Sequence, residues 1–125
     1  MNLGDVTKKT VPKMCLISPA HHGGTLHTRT FIPHRVHEAI GVLGAVSVAT
    51  ACVTPGSVAA QVARLTASSG VQRLEIEHPT GFFTVEMEVA LEGAEVTVKR
   101  SALLRTARKL MQGEVFVPRS AWSDS

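Results

Sequence analysis

From Ala39 to Ala63 the chain carries no charged residue, and this segment constrains the fold more than any other. A bilayer-spanning helix needs about 20 uninterrupted apolar residues, and Pro55-Gly56 divides the segment before that length is reached. An apolar helix that does not cross a membrane must be surrounded by protein. The pattern predicts such a helix from His37 to about Val53, stopped by Thr54-Pro55-Gly56. Gly41, Gly44, Ala45 and Ala49 form a stripe of small residues on it, where another element or a ligand can approach closely. Ser57 to Leu65 reads as a second short helix, with Ser57 as its N-cap and Val58, Val62 and Leu65 on one face.

What surrounds the helix is written in the rest of the chain as strands. Met1 to Lys13 is a polar lead-in with a turn at Gly4-Asp5, and Lys13 to Ser18 is the first strand. Pro19 to Gly24 is a loop. Thr25 to Ile32 is a second strand, with Leu26, Thr28, Thr30 and Ile32 on one side and Pro33 at its end. Val71 to Glu77 leads through His78-Pro79-Thr80-Gly81 into the strictest alternation, with Phe83, Val85, Met87, Val89 and Leu91 facing inward. Glu92-Gly93 turns the chain into a strand from Ala94 to Ser101. Ala102 to Met111 fits helical and extended periods alike; it is read as an irregular strand to Gly113, followed by Glu114 to Val117. Trp122 and the polar tail after Pro118 are expected to be peripheral. The sum is one α+β domain over residues 1–125: a curved, mostly antiparallel sheet wrapped around a central apolar helix.

With 125 residues, 44% hydrophobic and 18% charged, the chain can bury a core and is not of disordered composition. A net charge of +3 and 4% aromatics are too little for a phosphate-tracking or base-stacking surface, so no nucleic-acid or membrane partner is expected. Cys15 and Cys52 sit in apolar stretches without an activating base and read as small core residues in a reduced, cytoplasmic protein. Met14, Met87 and Met111 read as core filling.

Charge is distributed unevenly. Between Val6 and His37 there is no Asp or Glu, but there are Lys8, Lys9, Lys13, Arg29, Arg35 and five of the six histidines. The stretch runs into the start of the Gly-containing helix, whose unpaired N–H groups and dipole favour negative charge. Together they point to a site for carboxylates; the alternative is a basic, solvated loop. His34-x-x-His37 is at most half of a metal site, with no acidic or cysteine ligand nearby, and no metal is expected. His78, Arg105 and Arg108 read as turn or surface residues, although the arginines could clamp a carboxylate.

Several motifs occur together in order: Met1-Asn-Leu-Gly-Asp-Val6, Val11-Pro-Lys-Met-Cys-Leu16, Gly23-Gly-Thr25, Arg29-Thr-Phe-Ile-Pro-His-Arg35, His37, the run from Ile40 to Ala51, His78-Pro-Thr-Gly81 and Arg105 to Gly113. In this combination the chain resembles the C-terminal part of the 4-oxalomesaconate tautomerases, within the PrpF-type methylitaconate isomerases. The resemblance implies one half of a fold like that of diaminopimelate epimerase, two similar halves with the active site in the cleft between. It also implies a cofactor-independent 1,3-proton shift on an unsaturated polycarboxylate, the keto-to-enol conversion of 4-oxalomesaconate in gallate degradation. In such enzymes the N-terminal half carries an acid/base thiol in an Asn-Cys-Gly-Asn-like motif and a nearby lysine, and this chain contains neither. Where diaminopimelate epimerase has its second thiol, at the start of the second helix, Gly41 stands here, so no catalytic residue is assigned. Substrate holding carries over to His34, Arg35, His37, Gly41, Val42, Leu43 and Gly44. A half of this kind should expose an apolar patch and pair with a separate N-terminal half or a second copy of itself. The other reading is a fragment without chemistry that acts as a binding or assembly module.

Overall fold

A computed structural model of the chain describes residues 4–32, 34–92 and 95–121. Pro33, the turn at Gly93-Ala94, the side chain of Leu91, Met1 to Leu3 and Trp122 with the residues after it lie outside that description, and so do the expectations that fell on them.

The described chain runs β1 (Met14–Ser18), β2 (Leu26–Phe31), α1 (Val42–Val53), α2 (Val58–Val62), β3 (Gly70–His78), β4 (Gly81–Glu92), β5 (Glu95–Leu103) and a single 3-10 turn at Arg119–Ala121. The strands form a five-stranded sheet in sequence order. Neighbours are antiparallel except β2 and β3, which run parallel with Leu26 opposite Ile76. A parallel pair needs a long crossover, and the helices are that crossover. The sheet curls around α1 as a half-barrel, helped by a bulge between Glu88 and Val89 where β4 meets β5.

Alternation decides which side meets the helix. Leu74, Ile76, Phe83, Val85, Met87 and Val89 are buried, and β3–β4 register sets Leu74 opposite Val85 and Ile76 opposite Phe83. Each large side chain buried there contributes about 1.5–3 kcal/mol. On α1 the matching residues are Ala45, Ala49 and Cys52, all without exposed surface. Their small size lets α1 pack against β3, β4 and β5 at once. The other sheet face is polar: Thr84 donates to Glu75 at 2.8 Å, and Arg73 and Arg100 pair with Glu75 and Glu86.

Local signals act as read at the turns. Gly56 holds a left-handed φ of 78° after α1, and Ser57 accepts the Ala60 N–H at 3.0 Å as N-cap of α2. Four expectations are corrected. The central helix begins at Val42 and not at His37, because His37 N–H donates to the Thr30 carbonyl at 2.7 Å and Phe31 bridges Val36, which holds this part of the chain against β2. Regular strand ends at Leu103; beyond the Leu104 N–H bond to Thr84 the chain leaves the sheet, and Leu110, Met111, Val115 and Phe116 are each 87–90% exposed. Cys15 is exposed while Cys52 is buried; burial pushes the Cys52 thiol up to about 12. Of the methionines read as core filling, only Met87 is buried; Met14 and Met111 are exposed.

Candidate functional site

The acid-free stretch divides into two ends of the β1–β2 hairpin, and they do different things. At the loop end, residues 19–24 fold over Glu77, whose side chain has no exposed surface. Its carboxylate accepts backbone N–H bonds from His21 at 2.7 Å, His22 at 2.8 Å and Gly24 at 2.8 Å, and the His27 Nδ1 lies 3.4 Å away. Burial acts to raise the Glu77 carboxyl, but these N–H groups and the His27 ring outweigh it and hold it at about 2. Gly24 is required there, since a Cβ would stand 2.8 Å from the Glu75 carbonyl and from Glu77 Cγ. His21 stacks on His27 with ring centres 4.4 Å apart. This end therefore does bind a carboxylate, one supplied by β3. Sequence reasoning missed Glu77; the one signal for it was the Gly23-Gly24 pair, which allows backbone to close around a side chain.

At the other end the hairpin and α1 enclose a cavity of about 420 Å³, in the range of small-ligand sites. Lys13 just before β1 and Cys15 on it line one side, β2 contributes Thr30, the approach segment contributes His37, Ile40 and the N-cap Gly41, and the helix contributes Val42, Leu43, Gly44 and Ser47. Gly41 is the N-cap and offers no side-chain cap, and the first turn of α1 holds no acid. The first intrahelical bond runs from Ala45 N–H to the Gly41 carbonyl at 2.8 Å. The N–H groups of Val42, Leu43 and Gly44 thus lack helical partners and belong to residues lining the cavity. Thr30 donates to Cys15 Sγ at 3.5 Å on the opposite wall.

Of the residues singled out in the sequence, His37, Gly41, Val42, Leu43 and Gly44 come together on this cavity, and His34 and Arg35 do not line it. His34 Nε2 is bonded to the Thr7 carbonyl at 3.0 Å. Arg35 sits in the exposed turn that its carbonyl closes with Ile32 N–H at 2.9 Å. Lys13, Cys15, Thr30 and Ser47 were not anticipated as lining residues; Lys13 alone had a signal, as the last cation before β1. Glu38, although next to His37, is exposed and outside the lining.

The small-residue stripe proves to be two features. Ala45 and Ala49 are buried against the sheet, whereas a Cβ on Gly41 would meet nothing within 4 Å and one on Gly44 only the Ile40 side chain, at 3.3 Å to Cγ1. The stripe's leading half is open to the cavity. Met14, Ile32, Ile40 and Val48 give the cavity apolar walls, and a lysine, a histidine and the uncapped first turn of α1 stand at its edge, an arrangement suited to holding a small carboxylate. No group of three or more His, Cys, Asp or Glu that could hold a metal is found among the described residues, and no described helix is long and apolar enough to cross a membrane.

Comparison with known proteins agrees with this architecture. The chain is 54% identical over 122 residues to the 4-oxalomesaconate tautomerase of Pseudomonas putida, covering 98% of this chain and 32% of that protein. It is 58% identical over 117 residues to the (4E)-oxalomesaconate Delta-isomerase of Novosphingobium sp., covering 94% and 32%. The chain therefore spans about a third of the length of these curated relatives. A solved structure of a methylitaconate-delta-isomerase matches with a TM-score of 0.56 at 16% identity, over 80% of this chain and 30% of that one, a likeness of fold. The PrpF protein family matches residues 3–118, and the chain belongs to that family.

Proposed function

We propose that this chain is the carboxylate-holding part of a cofactor-independent isomerase that shifts a proton across an unsaturated polycarboxylate of the 4-oxalomesaconate class. The observation that carries the reading is that Lys13, His37 and the uncapped first turn of α1, from Gly41 to Gly44, line one cavity, in a chain homologous to a third of a 4-oxalomesaconate tautomerase and of an oxalomesaconate Delta-isomerase. A 1,3-proton shift builds negative charge on an enolate conjugated with carboxylates, and fixed N–H dipoles beside a lysine lower the energy of that charge. The proton-moving groups are assigned to the remainder of the fold, the part of such enzymes that this chain does not span.

The test is an assay of enol formation from 4-oxalomesaconate with this chain alone and with the complementary two thirds of a relative added. Activity is expected only in the mixture, and Lys13→Ala should lower it about tenfold, with a weaker dependence on salt than the unaltered chain shows. An unrestored mixture together with no tricarboxylate binding by calorimetry would favour the assembly-module reading.

The same proposal gives the exposed arm a partner. Residues 105–117 make no backbone hydrogen bond to the folded body among the described residues, and Leu110, Met111, Val115, Phe116 and Val117 on them face water. Unsatisfied backbone and exposed apolar surface together suit an arm that is covered on assembly. Replacing Leu110, Met111, Val115 and Phe116 by serine should abolish association with the complementary part in light scattering and leave the thermal unfolding of this domain within about 2 °C, because the domain does not use them. Undiminished association would reassign the interface.

A further inference from the structure

The structure assigns Thr80 a positioning role for the anion cavity, through the short segment that leads into α1. This inference rests on the carboxylate-holding reading for its functional meaning, but its geometry stands independently. Residues 37–41 belong to no helix or strand, bend at Glu38 and Ala39, and carry the cavity's most chemical edge, His37 on one side and the bare N-cap of α1 on the other. A segment that short, containing Gly41, has little conformational preference of its own. It is held from outside at two points.

On one flank His37 N–H donates to the Thr30 carbonyl of β2 at 2.7 Å. On the other, the Thr80 hydroxyl donates to the Glu38 carbonyl at 2.8 Å, bridging the β3–β4 turn to the segment across 42 residues of sequence. The hydroxyl has one proton, and the local geometry directs it. His78 Nδ1 lies 3.4 Å from Thr80 N–H and 3.2 Å from Thr80 Oγ1. With Nδ1 as acceptor for the backbone N–H, the hydroxyl proton is free for Glu38. The turn His78-Pro79-Thr80-Gly81 thus presents a fixed donor to the cavity's edge.

The consequence reaches the ring of His37. Ala39 N–H donates to His37 Nδ1 at 2.9 Å, so Nδ1 carries a lone pair and the neutral ring bears its proton on Nε2. Glu38 is the residue between them. Holding its carbonyl holds the turn that brings Ala39 N–H to Nδ1, and with it both the tautomer and the orientation of the ring. Thr80 touches no cavity surface itself, and it acts through Glu38 and His37.

The experiment compares the unaltered chain with Thr80→Val, which keeps shape and removes the hydroxyl, and Thr80→Ser, which restores it. Three readings are taken: amide hydrogen exchange, the ¹⁵N signature of the His37 imidazole, and calorimetric binding of citrate as a carboxylate probe. Thr80→Val should speed exchange of the Ala39 and Ala45 amides at least tenfold, shift His37 from a single Nε2–H tautomer to a mixture, and weaken citrate about fivefold. Thr80→Ser should return all three to within about twofold of the unaltered chain. Exchange at Ala39 and a tautomer unchanged in Thr80→Val would overturn the inference, as would acceleration spread evenly over β3 and β4 or a variant that does not fold, since either shows a purely structural role. If the unaltered chain does not bind citrate, the carboxylate reading fails while exchange and tautomer still decide the role of Thr80.

Discussion

Replacing Glu77 by glutamine should lower the stability of the domain at neutral pH by about 2 kcal/mol, a fall of roughly 6–10 °C in the unfolding midpoint for a domain of this size. In the native site Oε1 accepts from His22 and Gly24 and Oε2 from His21. A glutamine can keep its oxygen on the first pair, but its NH₂ then faces the His21 N–H, donor against donor, on a side chain that has no exposed surface. Glu77→Leu strands all three N–H groups and should prevent stable folding. The pH dependence has a definite sign. The folded carboxyl is held at about 2 against an ordinary value of 4.5, so the unfolded chain binds this proton more readily than the folded one. The contribution of Glu77 is therefore fully present above pH 4.5 and is lost as pH falls from there toward 2. The stability curves of the unaltered chain and Glu77→Gln should lie apart at pH 7 and converge in acid. Parallel curves down to pH 2, from thermal unfolding followed by circular dichroism, would show that the carboxylate's charge is not what the loop binds.

Glu77 also marks where the sequence stops being legible. Alternation exposes inward residues such as Val85 and Met87, because each strand is half-buried and period two is enforced by the pleat. An uncharged run divided by Pro55-Gly56 exposes α1, because burial on all sides excludes charge. By the same logic a glutamate in the stretch from Val71 to Glu77 reads as solvent-facing. On its own side of the sheet Glu77 does point away from α1 and is buried only because the 19–24 loop folds over it. The loop's N–H groups, not its side chains, supply the partners, and backbone donors leave no trace in residue identity. The arm after Leu103 misled for the opposite reason. Leu104, Leu110 and Met111 announce that something covers them, and a single chain's pattern does not say whether the cover is its own sheet. At the cavity, the acid-free stretch and the helix start were legible as a pair, yet His34 and Arg35 fell away. Chain direction reverses in the turn that joins Ile32 to Arg35, and residues adjacent in sequence leave on different sides of it. Lys13 enters from just before β1, a neighbourhood created by the β1–β2 pairing of Met14 with Phe31.

Gly44 gives the sharpest separation between fold and function. From sequence, a bulky residue at this point in the small stripe should damage folding by blocking the approach of another element. In the structure the approach is made at Ala45 and Ala49, one and five residues later, and Gly44 faces the cavity. The added Cβ of Gly44→Leu would press on Ile40 Cγ1 at 3.3 Å, a contact that a shift of a few tenths of an ångström relieves. The rest of the leucine must extend into the space where Val42, Leu43 and Gly44 present their N–H groups. Removing a glycine from the first turn of the helix also recovers part of the roughly 1 kcal/mol by which glycine disfavours a helix, which offsets strain at Ile40. The expected outcome is an unfolding midpoint within a few degrees of the unaltered chain together with a loss of citrate affinity of about a hundredfold, some 2.7 kcal/mol of binding free energy. Ala49→Leu is the converse: with no exposed surface and the sheet against it, overpacking should cost about 1–3 kcal/mol of stability. If Gly44→Leu instead unfolds the domain, or binds citrate as before, the helix start is not the wall of an anion site, and the small residues there serve packing alone.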